Sequence, residues 1–211
     1  MSMSDKVRDI LPLAMFMAIF YVLDALRVYM GLNLYIDRFV LWIIPIFIFI
    51  KYYLRQNPFE CLKLNTNIKK GVLWGAIISA VHAAIYIAFW YLKNGAIAVD
   101  WNVGIRAFLD VVLVTGIIEE IVFRGFVLNY LRNIYSFRTA NIVSSLLFVV
   151  AHIPYFMAWG YFSLPILKIM YEFIRLFVFG LFWGFLLKKT NSLWPCIIHH
   201  SANNFLSFMV R

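Results

Sequence analysis

The side chains best suited to chemistry in this chain lie inside runs of apolar residues. GIIEEIVFRGF places Glu119 and Glu120 side by side with Arg124 one helical turn on, FVVAHIPYF contains Phe148 and His152, and SLWPCIIHHSANNFL contains His199, His200, Asn203 and Asn204. Carboxylates and histidines are the groups that take a proton from water and return it to a leaving group. A histidine and an asparagine one turn apart offer two hydrogen-bond donors that can converge on a developing oxyanion. At membrane depth a charged side chain costs at least about 2.5 kcal/mol, so each of these residues asks for a partner or a purpose.

On a helix, Glu120 and Arg124 are i,i+4 with the acid first, the favourable order for a pair, whereas Glu119 points about 100° away with no local counter-charge. Glu119 is then the carboxylate free for proton transfer; the competing structural reading is a doubly paired clamp between helices. Phe148 precedes His152 by one turn and can pack beside the imidazole to fix its orientation. His199 with Asn203 and His200 with Asn204 are both i,i+4 pairs, on faces about 100° apart, so only one pair can face a given cavity. A polar seam between helices would use the same pattern. Taken together, the glutamate pair, the two separated histidine sites and the asparagine resemble a water-activating hydrolase site.

These groups must be positioned by membrane helices. The chain has 211 residues, 64% hydrophobic and 14% charged, against roughly 45–50% and 25% in soluble domains. Runs long enough to span a bilayer fall near 10–31, 38–54, 71–92, 103–128, 139–157, 165–187 and 192–210, with Pro154 breaking the fifth and leaving room for an eighth short helix there. The expected fold is an all-α, polytopic membrane bundle of about seven to eight transmembrane helices. It forms a single integral membrane domain over 1–211, with the motif-bearing core at about 103–211. The other ionisable residues within the runs read as local compensation: Asp24 with Arg27, Arg106 with Asp110, and Lys168 with Glu172 and Arg175. His82 reads as structural.

The formal net charge is +9, but the basic residues cluster between spans, so the excess reads as topology and not as nucleic-acid binding. Lys6, Arg8, Lys51, Arg55, Lys63, Lys69 and Lys70 fall on one side with the later basic pairs; the other side holds Arg38, Lys93 and Arg211. The positive-inside rule then puts the N-terminus in the cytoplasm. Because Glu119 lies in the later part of a helix running inward, the site is expected to open towards the cytoplasm. The charged start MSMSDKVRD lacks a small-residue cleavage site and reads as an uncleaved first helix. Cys61 and Cys196 suggest no disulfide framework.

In order, EEIVFR from Glu119, FVVAH ending at His152 and HSANN from His200 to Asn204 resemble the three motifs of the CPBP family, also called ABI: the CAAX prenyl endopeptidases of type II and the bacteriocin-processing or self-immunity proteins. The resemblance covers the C-terminal half. The SLWP lead-in at Ser192–Pro195 favours His200 and Asn204 over the alternative register His199 and Asn203. The family implies an intramembrane endopeptidase of the glutamic type in which Glu119 and His152 activate water, His200 and Asn204 stabilise the oxyanion, and Glu120, Arg124 and Phe148 support the site. It implies a membrane-associated peptide or protein substrate, either a CAAX-type tail, prenylated or not, or a bacteriocin or other peptide precursor. The expected location is the plasma membrane of a prokaryote. No cofactor is expected; were a divalent metal such as zinc bound, Glu119, His152 and His200 would be its ligands. The alternative within the same fold is a non-catalytic self-immunity or scaffold protein. A transporter would require paired broken helices in two related halves, which the chain does not show.

Overall fold

A computed structural model of the chain describes residues 3–31, 35–100, 102 and 104–210. Eight helices follow one another: α1 (Met3–Tyr29), α2 (35–53), the short α3 (Pro58–Cys61), α4 (Ile68–Asn94), α5 (105–132), α6 (Phe137–Ala158), α7 (Ile166–Thr190) and α8 (Trp194–Met209). No strand lies among the described residues beyond a single bridge between Val99 and Val210. The expected all-α bundle is what forms. The break foreseen at Pro154 falls at His152, after which the short run Ile153–Ala158 continues α6 with Pro154 in its first turn, where a missing N–H costs nothing.

Local chemistry sets the boundaries. Asn57 accepts the Phe59 N–H to start α3, and Ser136 accepts the Thr139 N–H to start α6, each satisfying an orphan donor of a first turn. α4 ends at Gly95 with φ 72° and α7 at Asn191 with φ 51°, left-handed positions that glycine and asparagine fill at low cost.

Long helices alternate in direction, which creates two ends. At one, Leu193 N–H bonds to Lys63 O, Trp194 Nε1 to Leu64 O, Tyr130 OH to Asp9 O and Asn129 Nδ2 to Cys61 O. This end carries the basic residues of the N-terminus, of 51–70, of the α5–α6 turn and of Lys188–Lys189. At the other end Asp100 N–H bonds to Met209 O, beside the start of α5.

The outer faces of α1, α4 and α7 expose stripes such as Leu11, Met15 and Ile19, Leu73, Ile77 and Val81, and Leu167, Ile174 and Val178. Contiguous apolar surface of this extent needs a cover, and four helices, Asp5–Tyr29, Ile68–Asn94, Phe137–Ala158 and Ile166–Thr190, are long and apolar enough to cross a bilayer; Phe39–Tyr53 is a shorter apolar helix. The chain is an integral membrane protein. Its α5 differs: Ile118 to Leu128 are buried without a break, so the helix bearing the glutamates is packed on all sides by protein.

Candidate active site

Glu119 and Glu120 sit on a regular stretch of α5, Thr115–Glu120, flanked by wider π-helical turns at Leu109–Val114 and Ile121–Leu128, an irregularity that recurs at functional sites. Two close approaches bring the partners in. Any Cβ on Gly116 would stand 2.8 Å from Ser201 Oγ, and one on Gly180 would stand 2.9 Å from Ser145 and 3.0 Å from Arg124 Nη2. Bare backbone at these points lets α8 and α7 reach α5.

Glu120 is fully buried. Its Oε1 accepts from Arg124 Nη1 at 3.2 Å and from His200 Nδ1 at 2.8 Å. The Arg124 guanidinium stands 4.3 Å from the Phe148 ring centre and 5.0 Å from that of Trp183, which return part of the lost solvation as cation–π attraction. Trp183 also stacks on His200, ring centres 4.1 Å apart and 15° from parallel. Phe148 meets His152 edge-on at 4.7 Å, and its carbonyl oxygen lies 2.9 Å from His152 Nδ1.

Those two Nδ1 contacts determine what the imidazoles offer. A carbonyl and a carboxylate oxygen can only accept, so both Nδ1 atoms carry protons and the Nε2 atoms face the remaining partner. That partner is Glu119: its Oε2 is 4.0 Å from His152 Nε2 and 3.8 Å from His200 Nε2, and it has no hydrogen-bond partner among the described residues. Two atoms sharing one water at about 2.8 Å each stand roughly 4 Å or more apart, whereas two ligands of a tetrahedral zinc stand roughly 3.3–3.5 Å apart. The observed 3.8–4.0 Å lies between the two. In donor chemistry the same three groups suit a divalent cation after a small contraction, although no His, Cys, Asp or Glu cluster among the described residues has metal-binding geometry.

His200, and not His199, therefore faces the glutamates. His199 Nδ1 accepts from Trp183 Nε1 at 2.9 Å and its ring stacks on His82 at 5.0 Å, towards α4. Asn203 and Asn204 both border the space beside Glu119, His152 and His200; the Asn204 Nδ2 donates to Val111 O at 2.9 Å, which ties α8 to α5. Asp24 and Arg27 pair at 3.0 Å and Glu172 and Arg175 at 2.7 Å, as their spacings require. Asp110, expected to pair with Arg106 one turn before it in α5, faces Arg38 of α2 at 3.8 Å.

A cavity of about 700 Å³ extends from Glu119 and His152 past Thr115, Asp110 and Arg38 to Gly104, Arg106 and Trp159, the last three exposed. It follows the first half of α5, away from the basic end. The sequence led us to expect an opening towards the basic, cytoplasmic side, reached through the later half of α5; that half is instead sealed from Ile121 to Leu128 by the surrounding helices. Sequence reasoning passed over Trp183, Thr115 and Tyr155, whose only prior signal was a polar or aromatic residue among apolar ones, and counted Arg38 only as a topology charge.

The Rce1-like type II CAAX prenyl endopeptidase family matches residues 100–206, half of the chain, from the mouth of the cavity to the last helix. No curated protein and no solved structure matches. With all three motifs gathered about one buried carboxylate inside a membrane bundle, the chain belongs to the Rce1-like type II CAAX prenyl endopeptidase family, a family of proteases.

Proposed function

We propose that the protein is an intramembrane endopeptidase that hydrolyses a peptide bond of a membrane-associated substrate with a water held by Glu119, His152 and His200. The observation that carries this reading is the approach of both Nε2 atoms to Glu119 Oε2 at 3.8–4.0 Å, where Glu119 and His152 line a cavity large enough for a peptide segment and His200 lines the smaller space beside it.

The chemistry balances as follows. Glu119, with His152 accepting from the same water, removes a proton as the water oxygen adds to the scissile carbonyl carbon. Negative charge moves to the carbonyl oxygen, where His200 Nε2–H and the second N–H of the Asn204 amide donate to it. When the intermediate collapses, the proton held by Glu119 passes to the leaving amine and the C–N bond breaks. Were a divalent cation bound instead, Glu119, His152 and His200 would hold it, and it would supply Lewis-acid polarisation of the water; the reading favoured here needs none.

With the basic end in the cytoplasm under the positive-inside rule, the N-terminus is cytoplasmic and the cavity mouth faces the opposite side of the membrane. A peptide precursor presented at that face suits this orientation better than a cytoplasmic tail. The test is incubation of the detergent-purified protein with unprenylated and prenylated peptides, wild type against Glu119→Gln, with and without a chelator, cuts being located by mass spectrometry. Cleavage by wild type that is lost in the variant and survives chelation is expected. Cleavage surviving in Glu119→Gln would remove that residue's role, and no cleavage by folded wild type would favour a non-catalytic immunity protein.

A further inference from the structure

The basic end of the bundle holds a second cavity, of about 290 Å³, apart from the one that reaches Glu119. Its wall is built from the end of α2, from α3 and the loop after it, from the last turns of α5, and from Asn191 in the turn between α7 and α8. Lys63 and Arg132 bring two positive charges to that wall, and no Asp or Glu lines it. Glu60 of α3 stays outside, and Asp9, whose backbone oxygen accepts from Tyr130, pairs its carboxylate with Arg8. The donors are oriented and mostly unused. Asn129 Nδ2 donates to Cys61 O and Gly125 O, and its Oδ1 accepts from Arg132 Nη1 at 3.3 Å, which sets the guanidinium through one nitrogen and leaves the rest of its fork for a ligand. The Lys63 ammonium and the Asn133 amide have no hydrogen-bond or ion-pair partner among the described residues. Lys63 also sits at φ 58°, a left-handed position that a residue with a long side chain adopts only under strain. A phosphate, with several acceptor oxygens and at least one negative charge, matches cationic and amide donors gathered without a carboxylate.

We propose that this cavity binds the phosphate of an anionic phospholipid from the leaflet at the basic end, which is the cytoplasmic leaflet in the orientation given above. Its depth in the membrane favours a lipid over a soluble phosphate. Tyr52 and Tyr53, immediately before Leu54 of the wall, and Phe59 of α3 are exposed aromatic residues, of the kind that settle at headgroup level. Basic pockets between helices on that side recognise anionic headgroups. A bound phosphate would link the loop after α3 to the end of the helix that carries Glu119 and Glu120, so occupancy should appear as stability. The inference does not depend on the protease reading, because the cavity lies at the other end of α5 from the opening beside Gly104.

The test is thermal unfolding of the full chain in neutral detergent, titrated with phosphatidylglycerol or with phosphatidylcholine of the same acyl chains. At about 10 to 100 times the Kd for phosphatidylglycerol, wild type should gain about 3–10 °C, and much less from phosphatidylcholine. Lys63→Gln and Arg132→Gln should each raise the apparent Kd about 5-fold, and together about 30-fold. Lys51→Gln with Lys69→Gln removes two exposed cations at the same end and outside the cavity; at about 0.15 M salt these are screened and the Kd should hardly move. If the cavity double variant does not fold, Asn133→Asp, which puts a like charge at the exposed edge of the cavity, should abolish the lipid preference by itself. Equal stabilisation by the two lipids, or equal losses in the cavity and control variants, overturns the proposal in favour of diffuse surface attraction. Inorganic phosphate that stabilises wild type as well as phosphatidylglycerol does, through the same two residues, would reassign the cavity to a soluble phosphate and overturn the lipid assignment.

Discussion

Two buried arginine–carboxylate pairs in this protein have nearly the same anatomy and different consequences. In the N-terminal half Arg27 bonds Asp24 three residues back in α1, its guanidinium over the rings of Trp42 and Tyr155 at 5.8 and 5.3 Å. In the C-terminal half Arg124 bonds Glu120 four residues back in α5, over Phe148 and Trp183. Both use an intrahelical partner and aromatic faces to keep a cation at membrane depth. The difference lies in the carboxylate's second contact: Glu120 also accepts from His200, and His200 presents its other nitrogen to Glu119. The first pair joins α1 to rings of α2 and α6; under the reading proposed above, the second orients a reactive group. Burial and pairing alone therefore do not mark a functional charge. The group on the far side of the pair does.

Substitutions can break that comparison. The largest effect is expected for Glu119→Gln, which removes the proton acceptor and little else: cleavage should fall about 10²- to 10⁴-fold or more with an unchanged melting temperature in detergent, and His152→Ala should also abolish cleavage. Arg124→Ala and Arg27→Ala should each cost about 3–5 kcal/mol by stranding a buried carboxylate. They should differ in the surviving folded protein, where only the Arg124 variant loses kcat; equal loss in both would erase the distinction drawn here. Next, His200→Ala should lower kcat about 100- to 1000-fold as an oxyanion donor is lost. Its neighbour His199→Ala should leave kcat within a few-fold and cost about 1 kcal/mol for the Trp183 hydrogen bond, and the opposite ranking would return the site to the alternative register. The smallest is Gly116→Ala, where the added methyl would press on Ser201 and cost about 1–3 kcal/mol, with a modest drop in activity as α8 is pushed from α5.

Much of the site was legible because its parts are periodic. Spacing of four residues on a helix links Glu120 to Arg124 and Phe148 to His152 whatever the tertiary fold, and both links are present. Local spacing was a poorer guide where a side chain had a nonlocal choice. Asp110, four residues after Arg106, faces Arg38 from another helix, because a partner across an interface is invisible to a pattern read along one chain. Trp183, which touches both Arg124 and His200, went unremarked for the same reason: an aromatic residue in an apolar run has no feature that separates a lipid-facing ring from one packed on a histidine.

Hydropathy and the positions of charged residues determined that the chain forms a membrane helix bundle, because apolar length and desolvation cost act on each segment independently of its neighbours. Motif spacing likewise determined which carboxylate carries an internal counter-ion. Only the tertiary structure decided which of two adjacent histidines meets the glutamates, since the rotation of α8 about its axis depends on how it packs on α5, where Ser201 meets Gly116. It also decided that the cavity opens away from the basic end, because an opening depends on where surrounding helices leave space, and no single helix encodes that.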